Sequence, residues 1–572
     1  MNIVGLSFGY HDSAVSLIRD GKVLFALQEE RLSRVKNDPR FPTLALNALL
    51  EFNQGEKIDG IVFYEKSFLK FDRIIHEFID SWPFSYLEFR KAFPLWLGNK
   101  LKIKKQIYAH LKDRSIPISF CKHHESHAAS AYFTSGFRES AILTLDGVGE
   151  WECGAIHHGQ GSSIKTLSHR VYPDSVGLFY SAMTDFLGFE VNEGEYKVMG
   201  LAPYGTPRFE EALRQNLIEV LYDGGIQLNR KLLSYPVSER LFKTAKLESI
   251  LGISKRLKAE PLEQVHFDLA ASVQVILEDV VLRSARHALE LTGSKNLCFA
   301  GGVALNCVAN GKILKTLKAE KLLENLHFIS ACGDAGGSTG AALYHYHHIL
   351  GNKPLEEAQL APYWGPHFTS EQIEASLKVS GLRFHNLFDK EITKKAIELI
   401  QDDKIIAWFQ GRLEFGPRAL GNRSILGNAG NKENWQKINQ MVKFREDFRP
   451  LAPAVLAEKA PEYFDLAEES PLMLLVSQTK TSALPATTHV DQSSRVQTVR
   501  RQDNPLFYDL IKQYGDKTGS YALINTSFNT SGMPIVCSPQ DAVRCFIESD
   551  LDALFIGSYF VLRKENQWIQ KI

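Results

Sequence analysis

One pattern occurs twice in the chain. Ile3 to Phe8, Ala14 to Ile18 and Val23 to Leu27 are short apolar runs joined by the turns GYHD and Asp20-Gly21. Apolar runs punctuated in this way read as the strands of a meander. About 140 residues later the pattern returns. Ala141 to Leu145 runs into Asp146-Gly147, a second strand lies near Gly154 to His158, the turn GQGSS follows, and a third strand covers Ile164 to Val171. Each copy carries polar residues at its first turn, His11 and Asp12 in one and Asp146 in the other. A repeated supersecondary unit constrains architecture more tightly than any single element. Two meanders, each followed by helices and further strands, predict a duplicated α/β fold with a cleft between its halves.

That is the architecture of the actin, sugar-kinase and Hsp70 ATPases. At 572 residues the chain has room for more than this one fold. Residues 350–367 are rich in Pro and Gly, and α/β patterning resumes beyond them. This places a first domain at 1–352 and a second at 368–572. The net charge is zero, so no global field favours nucleic acid or an anionic membrane, and neither is expected as a partner. The seven cysteines contain no CxxC pair and read as reduced residues of a cytoplasmic protein. No basic leader precedes the first strand, no apolar run reaches ~18 residues, and no further domain is expected after the last strand. Phe68 to Lys112 is aromatic and basic and reads as a helical cap.

The chemistry-bearing residues gather at predicted strand ends. The stretch CKHHESHAASAYF reads as a helix from about Glu125. His123 and His127 are four apart and His124 and His127 three apart, so either pair shares a helix face. The HExxH signature is absent. With Asp146 at a strand end, two imidazoles and a carboxylate suit a divalent metal. Asn296 to Ala300 leads into Gly301-Gly302 and on to Asn306, and Leu326 to Ser330 leads into CGDAGGSTGAAL, which contains Asp334. Glycines at such junctions let backbone N–H groups approach a phosphate. In an open α/β sheet ligands collect at strand C-termini, so Asp334 is expected to share the cleft with the histidines and Asp146. Iron, zinc or manganese suits that donor set. In the second half, Lys404 to Phe409 reads as a strand followed by Arg412, Arg418 and Arg423. Lys443, Arg445, Arg449, Arg495, Arg500 and Arg501 follow, and a strand Tyr521 to Ile524 enters NTSFNTSGMP. Basic forks on Gly- and Pro-interrupted turns suit a phosphate ligand.

Together the motifs GYHDSA, HHESHAASA, TLDGVGEW, GEYKVMGLAPYG, FAGGVALNCVANG, CGDAGGSTGAAL, FGPRALGNRSIL, FRPLAP and NTSFNTSGMPI resemble the O-carbamoyltransferases of nodulation-factor and antibiotic biosynthesis, the group of the tobramycin and cephamycin enzymes. The resemblance spans nearly the whole chain. It implies an actin-like carbamoyl-transfer domain and a second domain similar to threonylcarbamoyl-adenylate synthase. It implies ATP, with Mg, and carbamoyl phosphate as substrates, carbamoyl-adenylate as intermediate, and a hydroxylated small molecule or sugar as acceptor. His123, His127, Asp146 and Asp334 match its metal positions, with iron favoured. His11 is the candidate base, with a pKa near neutrality. Lys443 and Arg445 match a KxR pair, and Ser527 and Asn529 an SxN pair, for phosphate groups. Gly147, Gly301, Gly302 and Asn306 are assigned to the nucleotide side, Arg412, Arg418, Arg449 and Arg495 to a second rank, and Lys197 to a motif of unassigned role. The competing classes are tRNA modification by threonylcarbamoyl transfer, an actin-like kinase or ATPase, and a non-catalytic nucleotide-binding scaffold. Fusion of both domains and the lack of a basic stripe argue against the first. The His pair argues against the second, because Mg–ATP sites rarely need imidazole.

Overall fold

The computed structural model describes residues 1–237, 240–387, 389–443, 445–446 and 448–566. These fall into two compact units. The first comprises Met1–Leu24, Pro39–Thr43 and Asn53–Ala358, and the second comprises Phe25–Asp38, Leu44–Phe52 and Gln359–Ile572.

In the first unit both meanders form. β1 (Asn2–Ser7), β2 (Ala14–Arg19) and β3 (Lys22–Gln28) are joined by β4 (Gly60–Phe63) and β5 (Ile118–Phe120) in the order β3-β2-β1-β4-β5. β6 (Glu139–Leu145), β7 (Glu152–Gln160) and β8 (Ser163–Val171) open the second copy. A small hairpin of β9 (Ile218–Val220) and β10 (Ile226–Leu228) intervenes. β11 (Asn296–Ala300) and β12 (Asn325–His327) then complete a sheet of order β12-β11-β6-β7-β8. Read from the meander outwards, the two orders are the same. The pairing sense repeats as well: β1 is antiparallel to β2 and parallel to β4, and β6 is antiparallel to β7 and parallel to β11. The duplication read in the sequence is therefore present as two five-stranded sheets, the architecture of the actin and sugar-kinase group.

Several expected boundaries shift. The strand expected over Leu326 to Ser330 is only Asn325–His327. The helix expected from Glu125 begins at His123, because the Glu150 carboxylate accepts the N–H of His123 at 3.1 Å and the Glu125 side chain accepts that of Lys122 at 3.3 Å. The segment after Gly301-Gly302 is a 3-10 turn, Gly302–Leu305, before the helix Cys307–Ala319. The aromatic, basic stretch forms three helices: Ser67–Asp80, Tyr86–Leu95 and Ile103–Leu111.

Two helices of the first unit are almost wholly buried, His123–Tyr132 and Asp334–Leu343. The glycines of the second helix are packing residues. A β-carbon at Gly340 would collide with the Ser126 carbonyl, and one at Gly5 of β1 with the Ser338 carbonyl. The sequence had assigned this glycine-rich stretch to phosphate approach. The structure corrects that for Gly336, Gly337 and Gly340, which lie inside the buried helix. Ser16 on β2 bonds Ser338 and Thr339 at 2.8 Å each, so the helix is also tied to the sheet by buried hydroxyls.

The second unit is built on one mixed sheet. β13 (His385–Asn386), β14 (Ile406–Phe409), β15 (Arg423–Asn428) and β16 (Ala452–Leu456) precede a two-stranded ribbon of β17 (Val476–Gln478) and β18 (Ser493–Arg495). β19 (Gln497–Val499), β20 (Ala522–Ser527), β21 (Ala553–Ile556) and β22 (Tyr559–Leu562) complete an eight-stranded order β13-β22-β21-β14-β15-β20-β16-β19. Side chains alternate between its two faces. Ile406 and Trp408 pack with Ile397, Ile400 and Leu510, while Ala407 and Phe409 pack with Ile373, Leu377 and Phe546. Both faces are covered by helices, which is why β14 reads as continuously apolar.

Gly340→Ala is expected to cost at least about 2 kcal/mol, because backbone must move to admit the methyl group. It should lower the melting temperature by several degrees in a thermal unfolding scan. Gly98→Ala, whose β-carbon meets open space, should leave the melting temperature unchanged.

Candidate functional site

In the first unit, His123 and His127 project from one helix, Asp146 from the end of β6, and Asp334 from the first residue of the glycine-rich helix. One donor atom from each lies within 4.8 Å of all the others. Asp146 Oδ2 is the centre: it is 2.9 Å from His123 Nε2 and 3.0 Å from His127 Nε2. The two Nε2 atoms are 3.1 Å apart, and Asp334 Oδ1 lies 3.6 and 3.5 Å from them. All four side chains are largely shielded, and both Nδ1 atoms are buried without a hydrogen-bond partner. Two imidazole nitrogens and two carboxylates converging on one point form a candidate metal-binding cluster, and the mixed N/O donor set fits a first-row divalent ion.

The electrostatics follow from this crowding. Burial opposes the charge on His127, but Asp146 and Asp334 outweigh it and push its pKa up to about 9. Burial opposes the charge on Asp334 as well, yet His11, His123 and His127 hold it down at about 2. Asp146 is held well below an ordinary carboxylate, because hydrogen bonds from both histidines overcome its burial. His124, left open as an alternative ligand by spacing, faces away. It bonds Thr144 Oγ1 at 2.8 Å and the Glu152 carbonyl at 3.1 Å, and burial beside the two other histidines pushes its pKa far down.

His11 stands at the edge of this cluster, 3.7 Å from Asp334 Oδ2 and 3.0 Å from Asp12. Its pKa is pushed up to about 9: burial lowers it, and Asp334 and Asp12 more than compensate. The near-neutral value expected from histidine alone does not hold beside two carboxylates. Gly147 and Gly302 donate their N–H groups to Asp146 Oδ1 at 2.8 and 3.2 Å. These amides orient a cluster carboxylate. Gly301 has φ of 93° and lies against the Leu145 carbonyl, where no β-carbon fits. Asn306 caps the helix Cys307–Ala319 through Ala309 N at 3.0 Å and bonds Gln274. Lys197 lies 5.4 Å over the Phe189 ring. Sequence reasoning missed Tyr64, whose hydroxyl is 3.4 Å from Asp334, and Lys70, buried against Glu65 at 2.7 Å and 5.4 Å over the Tyr10 ring. No local pattern marks either residue.

In the second unit, Lys443 meets the end of β20. Its Nζ donates to the Ser527 carbonyl, to Ser527 Oγ at 3.2 Å and to Asn529 Oδ1 at 2.6 Å. Arg445 bonds Asn439 at 2.8 Å, and Arg449 pairs with Glu446 at 2.6 Å. Burial holds Lys443 well below an ordinary lysine, and Arg445 and Arg449 push it further in the same direction. The structure thus joins Lys443 of the KxR pair to Ser527 and Asn529, more than eighty positions away, while Arg445 turns to Asn439. Phe444, between the pair, lies outside the described residues. Arg495 ends β18, half-buried, with its Nε atom lacking a partner.

The arginines of GRLEFGPRALGNR do not act as one set. Arg412 donates to the Trp364 and Gly365 carbonyls and covers Phe52 at 5.2 Å. Arg423, grouped with the anion-binding residues by sequence, is fully buried. It donates to the Gln410 and Asn422 carbonyls and stacks 3.6 Å over Phe409. Glu414 Oε1 gathers the N–H groups of Leu420, Asn422 and Arg423 and shapes the loop that carries Arg418. Two arginines from the early segment of this unit complete it. Arg31 donates to the Gly416 carbonyl at 2.7 Å, and Arg34 donates to the Pro534 and Ile535 carbonyls.

With this geometry in view, comparison with known proteins gives a consistent result. The description "Carbamoyltransferase N-terminus" matches residues 2–343, and "Carbamoyltransferase C-terminus" matches residues 397–563. The chain belongs to the carbamoyltransferase family and is an enzyme of the transferase class. An uncharacterised protein of Synechocystis is 41% identical, covering 99% of this chain and 97% of that one. The nodulation protein NolNO of Sinorhizobium fredii is 38% identical, covering 97% of this chain and 79% of its own. Among solved structures, component A of (R)-2-hydroxyglutaryl-CoA dehydratase from Acidaminococcus fermentans covers 60% of this chain and 98% of its own, at 14% identity and a TM-score of 0.31. Among the described residues, no helix is long and apolar enough to cross a membrane.

Protein purified without chelator is expected to contain about one equivalent of a divalent first-row metal by elemental analysis. His127→Ala and Asp334→Asn should each reduce that content at least about ten-fold, as loss of a ligand does. His124→Ala should leave it unchanged.

Proposed function

We propose that the chain is an ATP-dependent O-carbamoyltransferase that works through carbamoyl-adenylate. The observation that carries the proposal is the gathering of Ser527 and Asn529 around the buried Lys443 ammonium, on a chain whose other unit holds the His–Asp cluster. In this reading the second unit resembles threonylcarbamoyl-adenylate synthase. Carbamoyl phosphate is hydrolysed there to carbamate and phosphate. A carbamate oxygen then attacks the α-phosphorus of ATP, and pyrophosphate leaves. Both reactants are anions, so the step needs fixed positive charge. Lys443, Arg445 and Arg449 supply it, with Arg412, Arg418 and Arg495 further out. Burial and the neighbouring arginines lower the Lys443 pKa, and the negative charge of an arriving triphosphate would raise it again and restore the ammonium. ATP would enter with Mg, whose charge would offset that of the phosphates.

The acceptor hydroxyl is carbamoylated at the first unit's cluster, and AMP leaves. His123, His127, Asp146 and Asp334 would hold the metal, with iron favoured by family likeness and zinc or manganese also compatible. When bound, the metal supplies Lewis acidity toward charge developing on the anhydride. His11 takes the proton from the hydroxyl. Positive charge held at Asp334 would offset part of the pull that raises the His11 pKa, which would return the ring toward the neutral form a base requires. Gly147, Gly301, Gly302, Asn306 and Lys197 line the nucleotide side in this reading. The acceptor is a hydroxylated small molecule or sugar, in keeping with relatives named as nodulation proteins.

Incubation with ATP, carbamoyl phosphate and Mg²⁺ is expected to release pyrophosphate that depends on both substrates. Lys443→Ala should lower that rate about 10²-fold or more, while His11→Asn leaves it unchanged. Release of ADP in place of AMP and pyrophosphate would overturn the proposal.

A further inference from the structure

The helical excursion between β4 and β5 is not used by either site beyond Lys70. It has a small interior of its own, in which Ile74, Phe78 and Trp96 pack with Phe71, Phe89, Ala92 and Leu101. What remains outside is unusual for a globular surface. Ile79, Trp82, Phe84, Leu87 and Leu95 are 64%, 57%, 79%, 62% and 63% exposed, and Phe68, Tyr86 and Leu97 are exposed as well. The helix Tyr86–Leu95 has no buried residue at all, although most of its side chains are apolar. Exposed large apolar side chains scattered singly are ordinary, but their concentration in one short segment marks an interaction surface.

Charge identifies the partner. Residues 82–114 contain eight Lys and Arg against two Asp and Glu, in a chain whose total charge is zero. Arg90, Lys102, Lys105, Lys112 and Arg114 are exposed. Protein interfaces are depleted in lysine. By contrast, aromatic and aliphatic side chains flanked by several basic ones are the composition of segments that lie in the headgroup layer of an anionic bilayer. We propose that this excursion docks the protein on the surface of an anionic lipid membrane, with Ile79, Trp82, Phe84 and Leu87 entering the interface and the flanking lysines and arginines facing acidic headgroups. Zero net charge averages this local excess away, which is why whole-chain composition pointed to no membrane partner. No membrane span is involved.

The test is co-sedimentation of the full chain with vesicles of phosphatidylcholine alone or mixed with phosphatidylglycerol. Binding to the mixed vesicles is expected, with little binding to phosphatidylcholine alone and a decline as salt rises. The triple variant W82S/F84S/L87S should bind the mixed vesicles at least about ten-fold more weakly with an unchanged melting temperature. Lys102→Glu with Lys105→Glu should also weaken binding. Failure of the full chain to sediment with the mixed vesicles would overturn the proposal, as would a triple variant that binds like the parent. A concentration-dependent dimer lost in that triple variant, without vesicle binding, would assign the patch to a second copy of the chain instead.

Discussion

The first unit depends on one close contact, where Gly340 meets the backbone of Ser126. Without a β-carbon at Gly340 the helices His123–Tyr132 and Asp334–Leu343 meet backbone against backbone at this point. That approach brings Asp334 within 3.5–3.6 Å of the imidazoles on the facing helix. Gly5 repeats the device between β1 and the same helix. Side chains separated by some two hundred residues are set by backbones in contact, which hold position better than long side chains do.

Around that contact the charges are arranged to be mutually dependent. Asp146 offers one oxygen to two histidines and the other to the amides of Gly147 and Gly302. A buried carboxylate is tolerable only when paired and hydrogen-bonded, and here both conditions are met by residues from three separate parts of the chain. Asp334 raises the pKa of both His11 and His127, joined by Asp12 for the first ring and by Asp146 for the second. Anything that neutralises Asp334 changes both rings together.

The second unit solves a different electrostatic problem. Its basic side chains are divided by duty. Arg423, Arg31 and Arg34 satisfy backbone carbonyls and hold loops in place. Lys443 is left buried among cations, well below its ordinary pKa. That is an unfavourable place for a lysine in isolation and a favourable one beside an anion. Arginine suits the structural positions because its planar fork bonds several carbonyls at once while its face stacks on a ring, as Arg423 does on Phe409.

Short apolar runs and turn dipeptides were enough to find both meanders, because run length and turn chemistry are local. The four cluster residues were legible for a related reason: histidines four apart share a helix face, and aspartates at strand ends share a cleft. What the chain alone could not distinguish depends on non-local contacts. His124 and His123 are equivalent by spacing, and only the Thr144 hydroxyl and the Glu152 carbonyl turn His124 away. Glycines that read as a phosphate cradle are packing contacts, because a glycine's role is set by what approaches it. Three arginines in one motif read as one anion site until burial separates Arg423 from the rest. Residue type and periodicity thus determined the elements and the donor set. Tertiary structure decided which donors converge, which charges are buried, and the pKa values that follow, because these depend on neighbours distant in the chain.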